Sequence, residues 1–320
     1  MNNNENCLLI GNGLNRCLKN SISWGELLNG IAHDLGVHYY SDISMPLEFE
    51  RIVNEYQELF PYSKENIYDK VKTQIAEKVC NVQLPKDAIH RRLEMLPLDA
   101  FMTTNYDYLL EMVFNEGFKA LNGNKKYLFE RTSIQAGREF YHLHGIASHK
   151  QSLCLGYEHY MGVVYHLRND LNRNENKTGD KQRGMIIKQI LYGDKERTNT
   201  WGERFYTSNI GILGLELSEC ESDLWWLITH RAYLYHSNYQ GLRERITNKI
   251  VFYDIIDGIE KKDAKEEQRR LSILRGKENK HHLLKSDNVI VRQYYLGKEY
   301  YSYEEAYHAI LDDIEKNGVS

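Results

Sequence analysis

The chain has 320 residues, of which 42% are hydrophobic and 27% charged, with a formal net charge of -4. That composition argues against a disordered or fibrous protein, and the acidic balance supplies no overall basic field for nucleic acid. No run approaches the roughly 20 apolar residues that span a bilayer. The residues after Met1 are polar, unlike a secretory leader, so a cytoplasmic location is expected.

In chain order, the first buried strand is expected over residues 7–10, Cys-Leu-Leu-Ile, and it breaks at Gly11-Asn12-Gly13. Glycines after a strand allow a tight turn and let a phosphate approach backbone N–H groups. An ordinary turn explains the same residues, and the full GxGxxG pattern is absent because position 16 is Arg. Arg16 is either a phosphate contact or a solvent-facing helix residue. Ser23-Trp24-Gly25-Glu26 predicts a helix start with Ser23 as N-cap and Glu26 closing a capping box. Residues 47–80 carry further helical spacing, punctuated by Pro61 and Pro85. The block 37–98 is too long for a simple crossover and is expected to form a helical insertion near a pocket mouth.

A second strand is expected over 100–104, running into Thr-Thr-Asn-Tyr-Asp at 103–107. Thr104, Asn105 and Asp107 would place hydroxyl, amide and carboxylate at the sheet edge, although Asp107 could equally cap the helix that follows. A third strand, 140–143, runs into His-Leu-His-Gly at 142–145. His144 is the candidate for chemistry. Strand alternation puts His142 on the same face, which makes it a rival. A second insertion is expected over 155–205, with a mobile polar loop at 169–183.

Strands are then expected over 209–213, 249–253 and 288–291, with a solvated charged helix at 261–280. The fourth strand runs into Gly214-Leu215-Glu216-Leu217, and a helix begins near Asp223. Strands alternating with helices predict an α/β fold, a parallel sheet with helices on both faces and helical insertions. Ligands of such sheets bind outside the carboxyl ends of the strands. The polar motifs should therefore converge. The five cysteines, Cys7, Cys17, Cys80, Cys154 and Cys220, lack the close spacing of a structural zinc site, so no metal is expected.

The segments GNGLN at 11–15, SWGELL at 23–28, TTNYD at 103–107, HLHG at 142–145, GYEHY at 156–160 and GLELSECESD at 214–223 resemble the sirtuin-like (silent information regulator-like) family, especially bacterial anti-phage NADase effectors. The resemblance covers roughly residues 6–255. It implies a Rossmann-like sheet in one NAD-binding domain over 1–320, with insertions at about 37–98 and 155–205. It implies that Asn105 positions the nicotinamide ribose and the attacking water, and that Asp107 holds the nicotinamide carboxamide. His144 would touch the ribose hydroxyls and act as general base. Gly11, Asn12 and Gly13 match the phosphate turn, with Asn15 and Thr104 beside it, while Gly214 to Leu217, with Glu216, fall at the adenosine end.

Departures from sirtuin deacylases are plain. Asn12 and Asn15 replace the usual small residues, Ser23-Trp24 replaces a proline-aspartate-phenylalanine-arginine segment, and the zinc-binding cysteines are missing. The expected activity is therefore NAD+ glycohydrolysis to nicotinamide and ADP-ribose, with NAD+ as substrate and no cofactor, serving abortive infection. The alternatives are an NAD or ADP-ribose sensing module without catalysis, a deacylase or ADP-ribosyltransferase, and an AbiH-like abortive-infection protein. A homo-oligomer and a partner such as a HerA-type ATPase are implied by the resemblance alone.

Overall fold

The computed structural model describes residues 4–19, 21–80, 82–119, 123–172, 186–193 and 196–319. Seven strands form one sheet: β1 (Asn6–Ile10), β2 (Ala100–Thr103), β3 (Ser133–Gln135), β4 (Arg138–His142), β5 (Asn209–Leu213), β6 (Ile250–Asp257) and β7 (Ile290–Leu296). Their order is β3-β4-β2-β1-β5-β6-β7. All neighbours are parallel except β3 on β4. The register sets Ile10 beside both Thr103 of β2 and Leu213 of β5, so the motif-bearing strand ends are level.

The helices are α1 (Asn12–Asn15), α2 (Trp24–Leu35), α3 (Met45–Leu59), α4 (Ile67–Cys80), α5 (Leu109–Phe114), α6 (Tyr157–Asn172), α7 (Ile186–Tyr192), α8 (Trp201–Thr207), α9 (Ser222–His236), α10 (Ala264–Ser286) and α11 (Tyr303–Asn317). Strand alternation sorts the core. Leu8, Ile10, Phe101, Phe140 and Val251 face α5, α11 and the 3-10 turn Ile89–Met95. Cys7, Leu9, Met102, Tyr141, Ile212 and Phe252 face α6 to α9. Burying each large apolar side chain stabilises the fold by roughly 1.5–3 kcal/mol.

A third cluster lies over the carboxyl ends of β2 and β4. Leu28 and Ile31 of α2, Phe49 and Val53 of α3, and Val71 and Ile75 of α4 pack with Tyr106, Leu153 and Leu155. Helices α2 to α4 thus form a cap; of the expected insertion 37–98, α3 and α4 belong to it, whereas Ile89, Leu93 and Leu96 pack on the sheet face. Helix α2 starts with the expected capping box, and Gly36 ends it in the left-handed region at φ 72. Pro61 falls between α3 and α4, and Pro85 follows α4.

Four expectations differ from the structure. The segment 155–205, expected as an insertion that walls or covers the pocket, is divided: Leu155 and Tyr160 line the cleft at the strand ends, whereas Trp201 and Phe205 of α8 are fully buried against the sheet face. Amphipathic crossover helices and a separate lid share one sequence pattern, so only packing separates them. The polar loop at 169–183 begins inside α6, which runs to Asn172, and 173–183 lie outside the described residues. Strand β3 was not anticipated; a two-residue Ala136-Gly137 turn, with both residues at positive φ, folds it back on β4. Strands β6 and β7 run well past the short apolar cores that announced them, to Asp257 and Leu296.

Candidate functional site

The chain leaves β1 toward β2 and β4 and returns to β5 on the other side of β1. Such a reversal opens a crevice at the carboxyl ends of the two strands. Here the loops touch. The Gly11 N–H donates to the Leu213 carbonyl at 2.9 Å, and the Gly13 N–H to the Gly214 carbonyl at 2.7 Å. A Cβ on Gly13 would stand 2.7 Å from the Gly214 oxygen, so the approach requires glycine. This modifies the expected phosphate turn: the N–H groups of Gly11 and Gly13 stitch β1 to β5 and are not available to an anion.

A cleft of about 590 Å³ opens beside this junction, lined among others by Asn12, Gly13, Thr104, Asn105, His144, Gly214, Glu216 and Glu221. Met45, Pro46 and Phe49 of α3 form its far wall, and Tyr160 of α6 contributes from the opposite side. A smaller cavity of about 70 Å³ adjoins it, lined by Asn15, Asp107, Leu109 and Lys78. Asn12, Ser23, Trp24 and Asn105 line both. Gly11 lines neither, being packed under Gly214 and Leu215.

His144 is buried in the large cleft, with Nε2 3.0 Å from Asp223 Oδ2. An N–H facing a carboxylate donates, so Nδ1 keeps the lone pair. Burial disfavours charge on this ring, but the Asp223 carboxylate, its hydrogen bond and the field of Glu221 outweigh it and raise the pKa. The Tyr160 ring stands edge-on at 5.1 Å. The Cys154 N–H donates to the His144 carbonyl at 2.8 Å, which pins the turn.

His142 differs. It ends β4 with Nδ1 3.0 Å from the Asn105 carbonyl and Nε2 3.0 Å from Glu111 Oε1. Two acceptors on two ring nitrogens suit an imidazolium. Burial opposes that charge, but Glu111 foremost, then the Asn105 carbonyl and Asp107, raise the pKa. The shared face expected for the two histidines is therefore corrected: β4 stops at His142, and the turn at His144 and Gly145 (φ 98) swings His144 to α9.

Asn105 is positioned from its backbone. Thr103 Oγ1 donates to the Ile10 carbonyl at 2.7 Å and accepts from the Asn105 N–H at 3.0 Å. Among the described residues none bonds the Asn105 side-chain amide, which borders both cavities. Asp107 accepts from the Leu109 N–H at 3.0 Å and from Asn15 Nδ2 at 2.9 Å. It thus makes the turn that leads into α5 and also lines the small cavity. Burial raises its pKa against these bonds. Arg16 pairs with Glu26 at 2.9 Å at the cleft edge.

Two acids escaped the sequence reading as site residues. Asp223 is fully buried against His144, its Oδ1 without a partner among the described residues, and Glu221 is buried in the cleft wall. Burial pushes the Glu221 carboxyl up to about 7, with Asp223 and Glu216 adding to the rise while His144 and the Ser218 N–H oppose it. The only sequence signal was two acids flanking Ser222 at a helix start. Glu216 is exposed at the cleft, and its carbonyl accepts from Lys280. Among the described residues no three His, Cys, Asp or Glu side chains cluster to hold a metal ion, and no helix is long and apolar enough to cross a membrane.

The mostly parallel α/β sheet has its polar cleft at the switch point, where open α/β sheets bind their ligands. Residues 99–178, which contain TTNYD, HLHG and GYEHY, match the family model described as a SIR2-like domain. The match supports a sirtuin-like family and fits a sirtuin-related, NAD-binding domain. No curated protein matches the chain.

Proposed function

We propose that the protein is an NAD+ glycohydrolase that releases nicotinamide and ADP-ribose. The observation that supports it most is one cleft lined by both Asn105, whose side-chain amide has no partner among the described residues, and His144, whose Nε2 is held by Asp223 behind it. Nicotinamide bears a positive ring in NAD+, so its glycosidic bond is already weakened. What remains is to orient the dinucleotide, to stabilise positive character on the ribose and to admit one water.

Asn105 holds that water and the ribose. His144 Nδ1 takes the water proton as the oxygen attacks the anomeric carbon, and the C–N bonding pair leaves with nicotinamide, neutralising its ring. Asp223 keeps Nε2 protonated and steadies the imidazolium. In the small cavity Asp107 accepts the carboxamide N–H. Glu216 and Gly214 line the end of the cleft assigned to adenosine. NAD+ is the substrate, and the scheme uses no cofactor or metal.

Purified protein incubated with NAD+ should release nicotinamide and ADP-ribose in equal amounts, and Asn105→Ala should not. Tight NAD+ binding without nicotinamide release would make the protein a nucleotide sensor. A role in abortive infection, a homo-oligomeric state and an ATPase partner of the HerA type rest on family resemblance alone. Activity compared across protein concentrations, with and without such a partner, tests them.

A further inference from the structure

The small cavity has a buried polar chain behind it that the scheme above does not use. Asn15 Nδ2 donates to Asp107 Oδ2 at 2.9 Å, and Asn15 Oδ1 lies 2.9 Å from His90 Nε2. His90 belongs to the 3-10 turn Ile89–Met95, between α4 and β2, and is fully buried. Its Nδ1 has no partner among the described residues. Burial holds its pKa at about 4, so the ring is neutral at pH 7.

A neutral ring has one N–H and one lone pair, and the direction of an amide is decided by its partners. With the proton on Nε2, His90 donates to Asn15 Oδ1 and the Asn15 NH2 must face Asp107. With the proton on Nδ1, Asn15 would flip and set its oxygen against a carboxylate oxygen. Only the first arrangement pairs both ends of the Asn15 amide when Asp107 is ionised. It leaves Asp107, already bonded by the Leu109 N–H on Oδ1, as an acceptor with lone pairs to offer the cavity.

We infer that His90 is a positioning residue that, through Asn15, holds Asp107 as a hydrogen-bond acceptor and so selects a ring carboxamide over the corresponding carboxylic acid. This rests on the NAD+ reading above. An acceptor carboxylate welcomes the amide N–H and repels a second carboxylate, whereas an Asp107 that has gained a proton tolerates both. Lys78, 3.4 Å from Asp34, is the one cation among the described residues that lines the same cavity, and it would favour the acid. Its pairing with Asp34 offsets that charge.

The experiment measures kcat and KM for NAD+ and for its nicotinic acid analogue, together with binding of free nicotinamide and nicotinic acid, in the wild type and in His90→Gln, His90→Leu and His90→Asn. The wild type should prefer the amide on the order of 100-fold or more, because a site built to bond an N–H rejects a group that lacks it. His90→Leu and His90→Asn, neither placing a donor at Nε2, should reduce that ratio about 10-fold, mainly through KM for NAD+. His90→Gln, whose longer amide reaches the Nε2 position, should retain it. Should His90→Leu fail to fold, His90→Asn carries the comparison. An unchanged amide-to-acid ratio in the loss variants overturns this inference alone, and a wild-type preference for the acid overturns it in favour of Lys78. Absence of both cleavage and binding in the wild type overturns the NAD+ reading and this inference with it.

Discussion

The end of β4 and the turn that follows it hold two histidines, His142 and His144, separated by one residue, and both face a buried carboxylate at 3.0 Å. They differ in what remains. His142 has a protein acceptor on each nitrogen, Glu111 on one side and the Asn105 carbonyl on the other. His144 has Asp223 on Nε2 and, among the described residues, no partner on Nδ1. One ring is a strut under Asn105, and the other keeps a lone pair in a wall of the cleft. Burial opposes charge on both rings, and in both a buried carboxylate partner outweighs it and raises the pKa, so neither property separates a structural histidine from a reactive one. The count of unoccupied nitrogens does.

The sharpest way to break this comparison is to remove each ring. We predict that His144→Ala lowers NAD+ turnover about 100- to 10,000-fold, the usual contribution of a general base, beyond the stability it also loses because buried Asp223 is left without its partner; Asn105→Ala should lose activity on the same scale. Turnover measured beside melting temperature checks both. His142→Ala should destabilise the protein by about 3–5 kcal/mol because Glu111 is left buried without its counter-charge, while the molecules that remain folded keep most of their turnover. Chemical denaturation gives the value. A stable His142→Ala that has lost all turnover would interchange the two roles.

A smaller effect sharpens the role of Asp223. The His144 base form exists above its raised pKa, so kcat/KM should fall as pH drops through that value. Asp223→Asn removes the carboxylate that raises it, and the acid limb should move about 1–3 pH units lower. A pH–rate profile with an unmoved limb would assign that limb to another group, with Glu221 first in line. The smallest effect concerns stability. A folded-state pKa raised above the unfolded one gives stabilisation that is fully present below the unfolded value and is lost as pH rises through the folded value. His142 should therefore make the wild type less stable as pH rises past its raised pKa, a slope that His142→Gln should flatten. Denaturation midpoints over that range measure it.

Much of the sheet was legible because buried parallel strands are short apolar runs ending at turn residues. Residues 7–10 and 209–213 stand in the structure almost as read, as β1 and β5. The capping box at Ser23 and Glu26 was equally plain, since both of its hydrogen bonds are local. Strand β3 escaped because three residues at a sheet edge carry no hydrophobic period of their own. Periodicity also could not tell that α2 to α4 cap the strand ends while α8 lies on a sheet face, because both present one apolar stripe.

By itself the sequence determined which side chains stand at the strand ends: Asn105 and Asp107 after β2, His144 after β4, and Gly214 and Glu216 after β5. It did so because a strand that stops at polar residues presents them at the sheet edge whatever surrounds it. Tertiary structure decided who partners whom. Asp223 reaches His144 across 79 positions, Glu111 reaches His142 across 31, and His90 reaches Asn15 across 75. Contacts of that range depend on the strand order and on where each crossover helix comes to rest, and no local spacing encodes either. The same reason turned Gly11 and Gly13 from a phosphate cradle into a seam: only the placement of β5 beside β1 brings the Leu213 and Gly214 carbonyls to their N–H groups.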